Sequence, residues 1–212
     1  MKQKKLILYF SPGACSLASH IALREAGIEF ALEKVILKED KTASGSDYLK
    51  ISPLGYVPAL ALPDGSVLTE GVAILLYVAD QKPELGLVPP AGDPNRYQAY
   101  RWLTFISSEI HKGFGPLFNP TMPEELKKAA LERLKTRFSF IEKHLAKHKW
   151  LVGDRFTVAD IYAFVCLGWS VFMHIDLSEW PHIQSFLTRV GKRPAVKEAL
   201  RAEQDNDVTG ES

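Results

Sequence analysis

Apolar positions along the chain follow two rhythms. Residues 6–10, LILYF, form an unbroken apolar run ended by Ser11-Pro12-Gly13, which predicts a buried strand entering a turn. From Ala14 the spacing changes: Ala14, Leu17, Ala18, Ile21 and Ala22 share one helical face, with Gly27 as a stop. Residues 30–37, FALEKVIL, predict a second strand, and after a polar loop a short helix is expected near residues 47–50. In ISPLGYVPALAL, Pro53 and Pro58 bracket an extended stretch, and Pro63-Asp64-Gly65 supplies the turn of a hairpin. TEGVAILLYVADQ returns to helical spacing, with Thr69 as candidate cap. The order is therefore βαβαββα. Two strands joined through a helix predict a parallel pair, and the hairpin adds an antiparallel edge, which is a thioredoxin-like layout.

Residues 82–95, KPELGLVPPAGDPN, are rich in proline and glycine and predict a linker. Beyond it every candidate element is helical, starting with NRYQAYRWLTFISSEIHKGF and ending with PAVKEALRAEQ, five in all. The expected class is thus α+β with two domains: 1–86 thioredoxin-like and 92–212 an all-helical bundle. The final run DNDVTGES reads as too polar to pack. In RFTVADIY, Thr157 and Asp160 predict a capping box and Phe156 a staple onto Ile161, a folding signal without chemistry.

At 212 residues, 46% hydrophobic and 24% charged, with a formal net charge of +1, the composition suits a globular protein without a nucleic-acid partner. The start MKQKKLILYF holds too short an apolar run for a signal-peptide core or a membrane span, so a cytoplasmic protein without a membrane partner is expected. Cys15 and Cys166 offer no disulfide framework, which suits a reducing compartment, and neither the cysteines nor the histidines have metal-ligand spacing. The basic residues between Lys127 and Lys149 alternate with glutamates, as on a solvated helix face.

Candidate chemistry begins at Cys15. A cysteine is often a small buried hydrophobe, but one in a first helical turn sits among unpaired N–H donors that favour a thiolate. The same amides could instead hold the thiolate of a bound ligand. Cys166, inside IYAFVCLGW, reads as core. GYVPAL raises the question of a cis bond at Val57-Pro58, beside which main-chain groups could pair with an extended ligand. Glu70 and Gly71 open a helix: Glu70 is either a stabilising first-turn acid or the partner of a ligand ammonium whose carboxylate meets the helix-start amides. His111, before a Gly-Phe-Gly-Pro break, is either a helix-end cation or a catalytic imidazole.

Together the segments PGACSLASHIALRE, SPLGYVPAL, LTEGVAI, SSEIHKGF and FTVADIY resemble those of the glutathione transferases, and specifically the bacterial beta class, in order and spacing over nearly the whole length. The resemblance implies an enzyme of the glutathione S-transferase type that uses glutathione as co-substrate and no other cofactor, conjugates it to a hydrophobic electrophile, and is a homodimer. It implies catalytic roles for Cys15 and His111, the first facing the glutathione sulfur and the second approaching it from the helical domain. Val57 would pair with the cysteinyl backbone, Glu70 and Gly71 would hold the γ-glutamyl end, and Thr104 and Ser108 would add polar contacts. Ser11 and Ser16 are alternative holders of the sulfur. Where family members have a lysine after the second strand this chain has Asp40 between Lys38 and Lys41, so Lys41 is the expected substitute; where they have Trp-Leu-Asn it has Trp102-Leu103-Thr104. Phe105, Phe114, Trp169 and Phe172 are candidate lining residues of the electrophile pocket. The alternatives are a glutathione-dependent oxidoreductase acting through Cys15, and a carrier with negligible turnover.

Overall fold

The five-residue strand β1 (Leu6–Phe10) lies at the centre of a sheet, and its side chains show why an unbroken apolar run was needed. Leu6, Leu8 and Phe10 alternate into the core while Ile7 and Tyr9 are half-buried on the other face. The structure is a computed structural model and describes residues 5–208. β2 (Phe30–Ile36) runs parallel to β1, with Leu32 opposite Leu8. On the other side β4 (Ala59–Ala61) runs antiparallel, with Leu60 opposite Leu8, and β5 (Val67–Thr69) closes the hairpin. With β3 (Lys41–Thr42) on the far side of β2, the order is β3-β2-β1-β4-β5. α1 (Ser16–Glu25) makes the crossover from β1 to β2, and α2 (Gly71–Asp80) follows β5. The thioredoxin-like layout expected from the sequence is present.

Three local features refine the expectations, and the last of them corrects one. The short helix near residues 47–50 is a single 3₁₀ turn, Tyr48–Lys50, begun by an Asp47 carboxylate that accepts from Leu49 N–H. β3 was not anticipated, because two polar residues carry no period. It exists because Asp40, at φ 53°, turns the chain back in the left-handed region that aspartate tolerates better than most residues. Thr69 does not cap α2: it stays paired opposite Ala59, so the cap position passes to Glu70.

Packing divides the chain into two compact units, Met1–Leu85 with Arg193–Ser212, and Gly86–Lys192. The sequence reading placed all of 92–212 in the helical domain; the last helix, α8 (Pro194–Val208), instead belongs with the sheet. Polar anchors explain this. Arg193 forms a two-pronged pair with Glu25, at 2.6 and 2.8 Å. Near the other end Glu203, only 3% exposed, accepts from His20 Nδ1 and from Gly13 N–H, both at 3.0 Å. Because Arg24 Nε–H donates to His20 Nε2 at 2.9 Å, the ring proton must sit on Nδ1, facing Glu203. The run read as too polar to pack is helical from Asp205 through Val208, and the Asn206 carbonyl accepts from Lys34 Nζ; its last four residues lie outside the described residues.

In the second unit, α3 (Pro94–Phe105) passes through a wide π-helical stretch, Ile106–His111, straight into α4 (Lys112–Phe118). The expected break at Gly-Phe-Gly-Pro is therefore inside a helix. A β-carbon at Gly113 would stand 2.8 Å from Leu134 Cδ2, so glycine permits a close approach to α5 (Glu124–Leu145) that offsets its poor helix propensity. α6 (Val158–Phe172) starts at the expected capping box: the buried Asp160 carboxylate accepts from Thr157 N–H at 2.9 Å and from its hydroxyl at 3.0 Å. It also accepts from Leu151 N–H. Phe156 lies edge-on to Trp150. α7 (Pro181–Gly191) completes the unit.

Candidate active site

In the first unit the candidate residues gather where β1 and β4 meet the openings of α1 and α2. The loop after β1 is closed by Ser16, fully buried, whose hydroxyl donates to the Ser11 carbonyl and accepts from Ser11 N–H, both at 3.2 Å. That hydroxyl is committed to the loop, which removes Ser16 as a holder of a sulfur. Cys15 follows as the N-cap of α1, half-buried, and its thiol donates to the Val57 carbonyl across 3.2 Å. The first-turn donors are already partly engaged, since Leu17 and Ala18 N–H bond to the Ala14 and Cys15 carbonyls. The expected bed of unpaired amides is thus smaller than the sequence implied.

The Val57-Pro58 peptide is cis, which answers the question that GYVPAL raised. Pro58 packs near Gly71: a β-carbon there would meet the proline ring at 3.8 Å, an ordinary contact, so packing does not require glycine. Beside it Glu70 is exposed and held at φ 67°, in the left-handed region that costs a non-glycine residue about 1 kcal/mol or more. Its side chain makes no cap hydrogen bond, which leaves an exposed carboxylate next to the opening of α2. Lys41 is exposed on β3, and Asp40 precedes it in the turn.

The second unit holds the rest. His111 ends the π-helical stretch, with Nδ1 2.7 Å from the Tyr162 hydroxyl and its ring edge-on to Trp169 at 5.0 Å. Burial, then the charge on Lys112, lowers its pKa to about 4. At neutral pH the ring is uncharged, so the helix-end cation reading fails and any role must be that of a neutral imidazole. Thr104 and Ser108 are exposed, and the Ser108 hydroxyl donates to the Thr104 carbonyl one turn back. Of the four expected lining aromatics, Phe114 and Trp169 stand edge-on at 5.7 Å, and Phe172 joins them through Phe118. Phe105 does not belong with these, for it packs on Trp102 and Phe140.

This geometry meets its counterparts in known proteins. Residues 13–81 match the glutathione S-transferase N-terminal domain and residues 105–194 the C-terminal domain. Glutathione S-transferase GstA of Escherichia coli O157:H7 is 44% identical over 92% of this chain and 98% of its own. A bacterial beta-class glutathione S-transferase of Sphingomonas chungbukensis is 47% identical, with a TM-score of 0.91 over 93% of this chain and 98% of its own. The chain belongs to the glutathione S-transferase family, in its bacterial beta class. A sphingomonad glutathione S-transferase complexed with glutathione matches equally well, at 47% identity and TM-score 0.91 over 93% and 98% of the two chains. The transferase is an enzyme that takes glutathione as co-substrate.

Within each unit, several residues that hold these candidates carry no signal strong enough to single them out by sequence. Tyr48 and Ser52 hold the segment before Val57, Tyr162 holds His111, and Phe118 joins the aromatic row. Tyr162 and Phe118 had a weak signal, since each lies in the same helix as a residue already suspected. Glu203 had none, because its partners lie far away in the chain. Asp40, the departure from the family's lysine, is explained locally by its left-handed backbone.

Proposed function

We propose that the transferase binds glutathione as an added strand along the Val57 segment, holds its sulfur as a thiolate at the opening of α1, and presents it to a hydrophobic electrophile. The observation that carries this reading is the meeting of Cys15 with Val57 at 3.2 Å, since it sets the thiol position beside a main-chain edge. Glu70 takes the ligand's ammonium, and the amides at Gly71 take the γ-glutamyl carboxylate. Lys41 takes the glycyl carboxylate. Thr104, Ser108 and His111 keep the roles that the resemblance gives them, with His111 acting as a hydrogen-bonding neutral ring.

A free thiol of pKa about 8.5 is only about 3% ionised at pH 7, and lowering it by about two units raises that to roughly three quarters. The site must therefore favour the thiolate by about 2.7 kcal/mol, which a few aimed donors can supply. The aromatic row with the exposed Phe172 supports an apolar electrophile. The enzyme is a cytoplasmic homodimer in this reading.

One observation favours a second activity. Cys15 is the half-exposed cysteine while Cys166 is buried, so Cys15 can attack an oxidised glutathione, form a mixed disulfide and release a glutathione thiolate. The test measures conjugation of a chloronitrobenzene-type electrophile, reduction of a mixed disulfide, and equilibrium glutathione binding for wild type, Cys15→Ala and His111→Ala. Conjugation surviving Cys15→Ala while disulfide reduction vanishes supports both parts. Wild-type binding without turnover in either assay contradicts the enzymatic reading and leaves a carrier.

A further inference from the structure

The peptide that joins Tyr56 to Val57 is gripped from one side by two hydroxyls. Tyr48 Oη–H donates to the Tyr56 carbonyl oxygen across 2.8 Å, and Ser52 Oγ–H donates to the same oxygen across 3.0 Å. Both donors are shut away from water, Tyr48 at 0% and Ser52 at 3% exposure. A carbonyl oxygen offers two lone pairs, so this grip uses both and fixes the plane of the peptide. Unlike its neighbour, the Tyr56-Val57 bond is trans, and in a planar trans peptide the N–H points opposite to the C=O. Anchoring the oxygen on Tyr48 and Ser52 therefore aims the Val57 N–H the other way. No described residue accepts from that N–H, while the Val57 carbonyl is taken by the Cys15 thiol.

The grip is itself well founded. Tyr48 N–H donates to the Asp40 carbonyl at 2.8 Å, and the Tyr48 carbonyl accepts from both Ile51 and Ser52 N–H. The ring packs against Tyr9 at 5.8 Å and lies in a cluster with Val35, Val57 and Ala59. Burial pushes the Tyr48 phenol up to about 12, so it remains a donor across the neutral range.

We propose that Tyr48 and Ser52 are positioning residues for glutathione, setting the direction in which the Val57 N–H meets the main chain of the bound tripeptide. This rests on the reading of Val57 given above. Neither side chain touches the reacting sulfur, so the effect belongs in affinity and KM and not in kcat.

The test compares glutathione with an isostere in which a fluoroalkene replaces its Cys-Gly amide, by calorimetric titration of wild type, Tyr48→Phe, Ser52→Ala, Ser52→Thr and the Tyr48→Phe/Ser52→Ala pair. Wild type should bind glutathione about fivefold or more tighter than the isostere, the worth of one hydrogen bond. The pair should weaken glutathione binding by about the same factor and lose its preference over the isostere, with KM raised and kcat within about twofold. Ser52→Thr, which keeps the hydroxyl, should behave as wild type. Equal binding of both ligands by wild type overturns the reading of Val57 and the proposal with it. A pair that keeps the wild-type preference overturns the proposal alone. Should the pair fail to fold, the single variants decide: folded Tyr48→Phe and Ser52→Ala proteins with unchanged glutathione affinity and KM overturn it.

Discussion

The Cys15 thiol and the Val57 carbonyl, 3.2 Å apart, tie the loop before α1 to the segment that enters β4. A thiol donates weakly, so Cys15→Ala should cost only about 0.5 kcal/mol of stability. Its chemical effect should be sharper. Iodoacetamide on the native protein should label Cys15 and spare the fully buried Cys166, as read by peptide mass spectrometry. Labelling of Cys166 first would contradict the assignment.

His111 should titrate far below the usual histidine range. Its pKa is lowered to about 4 by burial and by Lys112, so the native ring is neutral while the unfolded ring gains a proton below about pH 6.5. Stability from this group is present above that pH and is lost as pH falls toward 4. Imidazole proton shifts should stay flat from pH 8 to about 5.5, and kcat/KM should show no limb from His111 in that window. A midpoint near 6.5 would show that the ring is hydrated.

Asp160 has the opposite pH dependence. Burial raises its carboxyl to about 6, against hydrogen bonds from Leu151 and Thr157 that favour the charge. Below about pH 3.8 both states hold the proton; between there and 6 only the native state does, so stability falls as pH rises through that window. The size is on the order of 3 kcal/mol. Asp160→Asn should remove this slope while lowering stability at every pH by about 1 to 3 kcal/mol, because its amide cannot accept from all three donors. Chemical denaturation at pH 4, 5, 6 and 7 reads both effects.

Glu203 is expected to be the most sensitive position in α8. Glu203→Ala leaves the fully buried His20 Nδ1–H without its acceptor and removes the carboxylate that Gly13 N–H donates to, for a loss of about 3 kcal/mol. Arg193→Gln, which breaks the partly exposed pair with Glu25, should cost less. Urea midpoints of the two variants compare them directly. Equal losses would mean that α8 is held by general packing and not by the buried carboxylate.

What the sequence disclosed follows from which forces are local. LILYF, the Pro63-Asp64-Gly65 turn and the Thr157/Asp160 box act over a few residues, and the structure has the elements they predict. Elements set by distant partners were not legible. β3 depends on the backbone of Asp40, α8 finds its place through Glu203 and Arg193, and the helix through Gly113 and Pro116 depends on close contact with Leu134. The same holds at the site. Cys15 and Val57 could be named from their surroundings, but the neutral state of His111 comes from burial that no local pattern encodes. Nor could the sequence show that Ser16 is used up in closing its own loop.

The central claim is that glutathione bound to this transferase carries an ionised sulfur at neutral pH. Ultraviolet difference titration of the binary complex, run on wild type and on Cys15→Ala so that the half-exposed protein thiol is told apart from that of the ligand, measures it directly. The account predicts a midpoint for the bound thiol about two units below the free value near 8.5. A midpoint at or above that of free glutathione would contradict it.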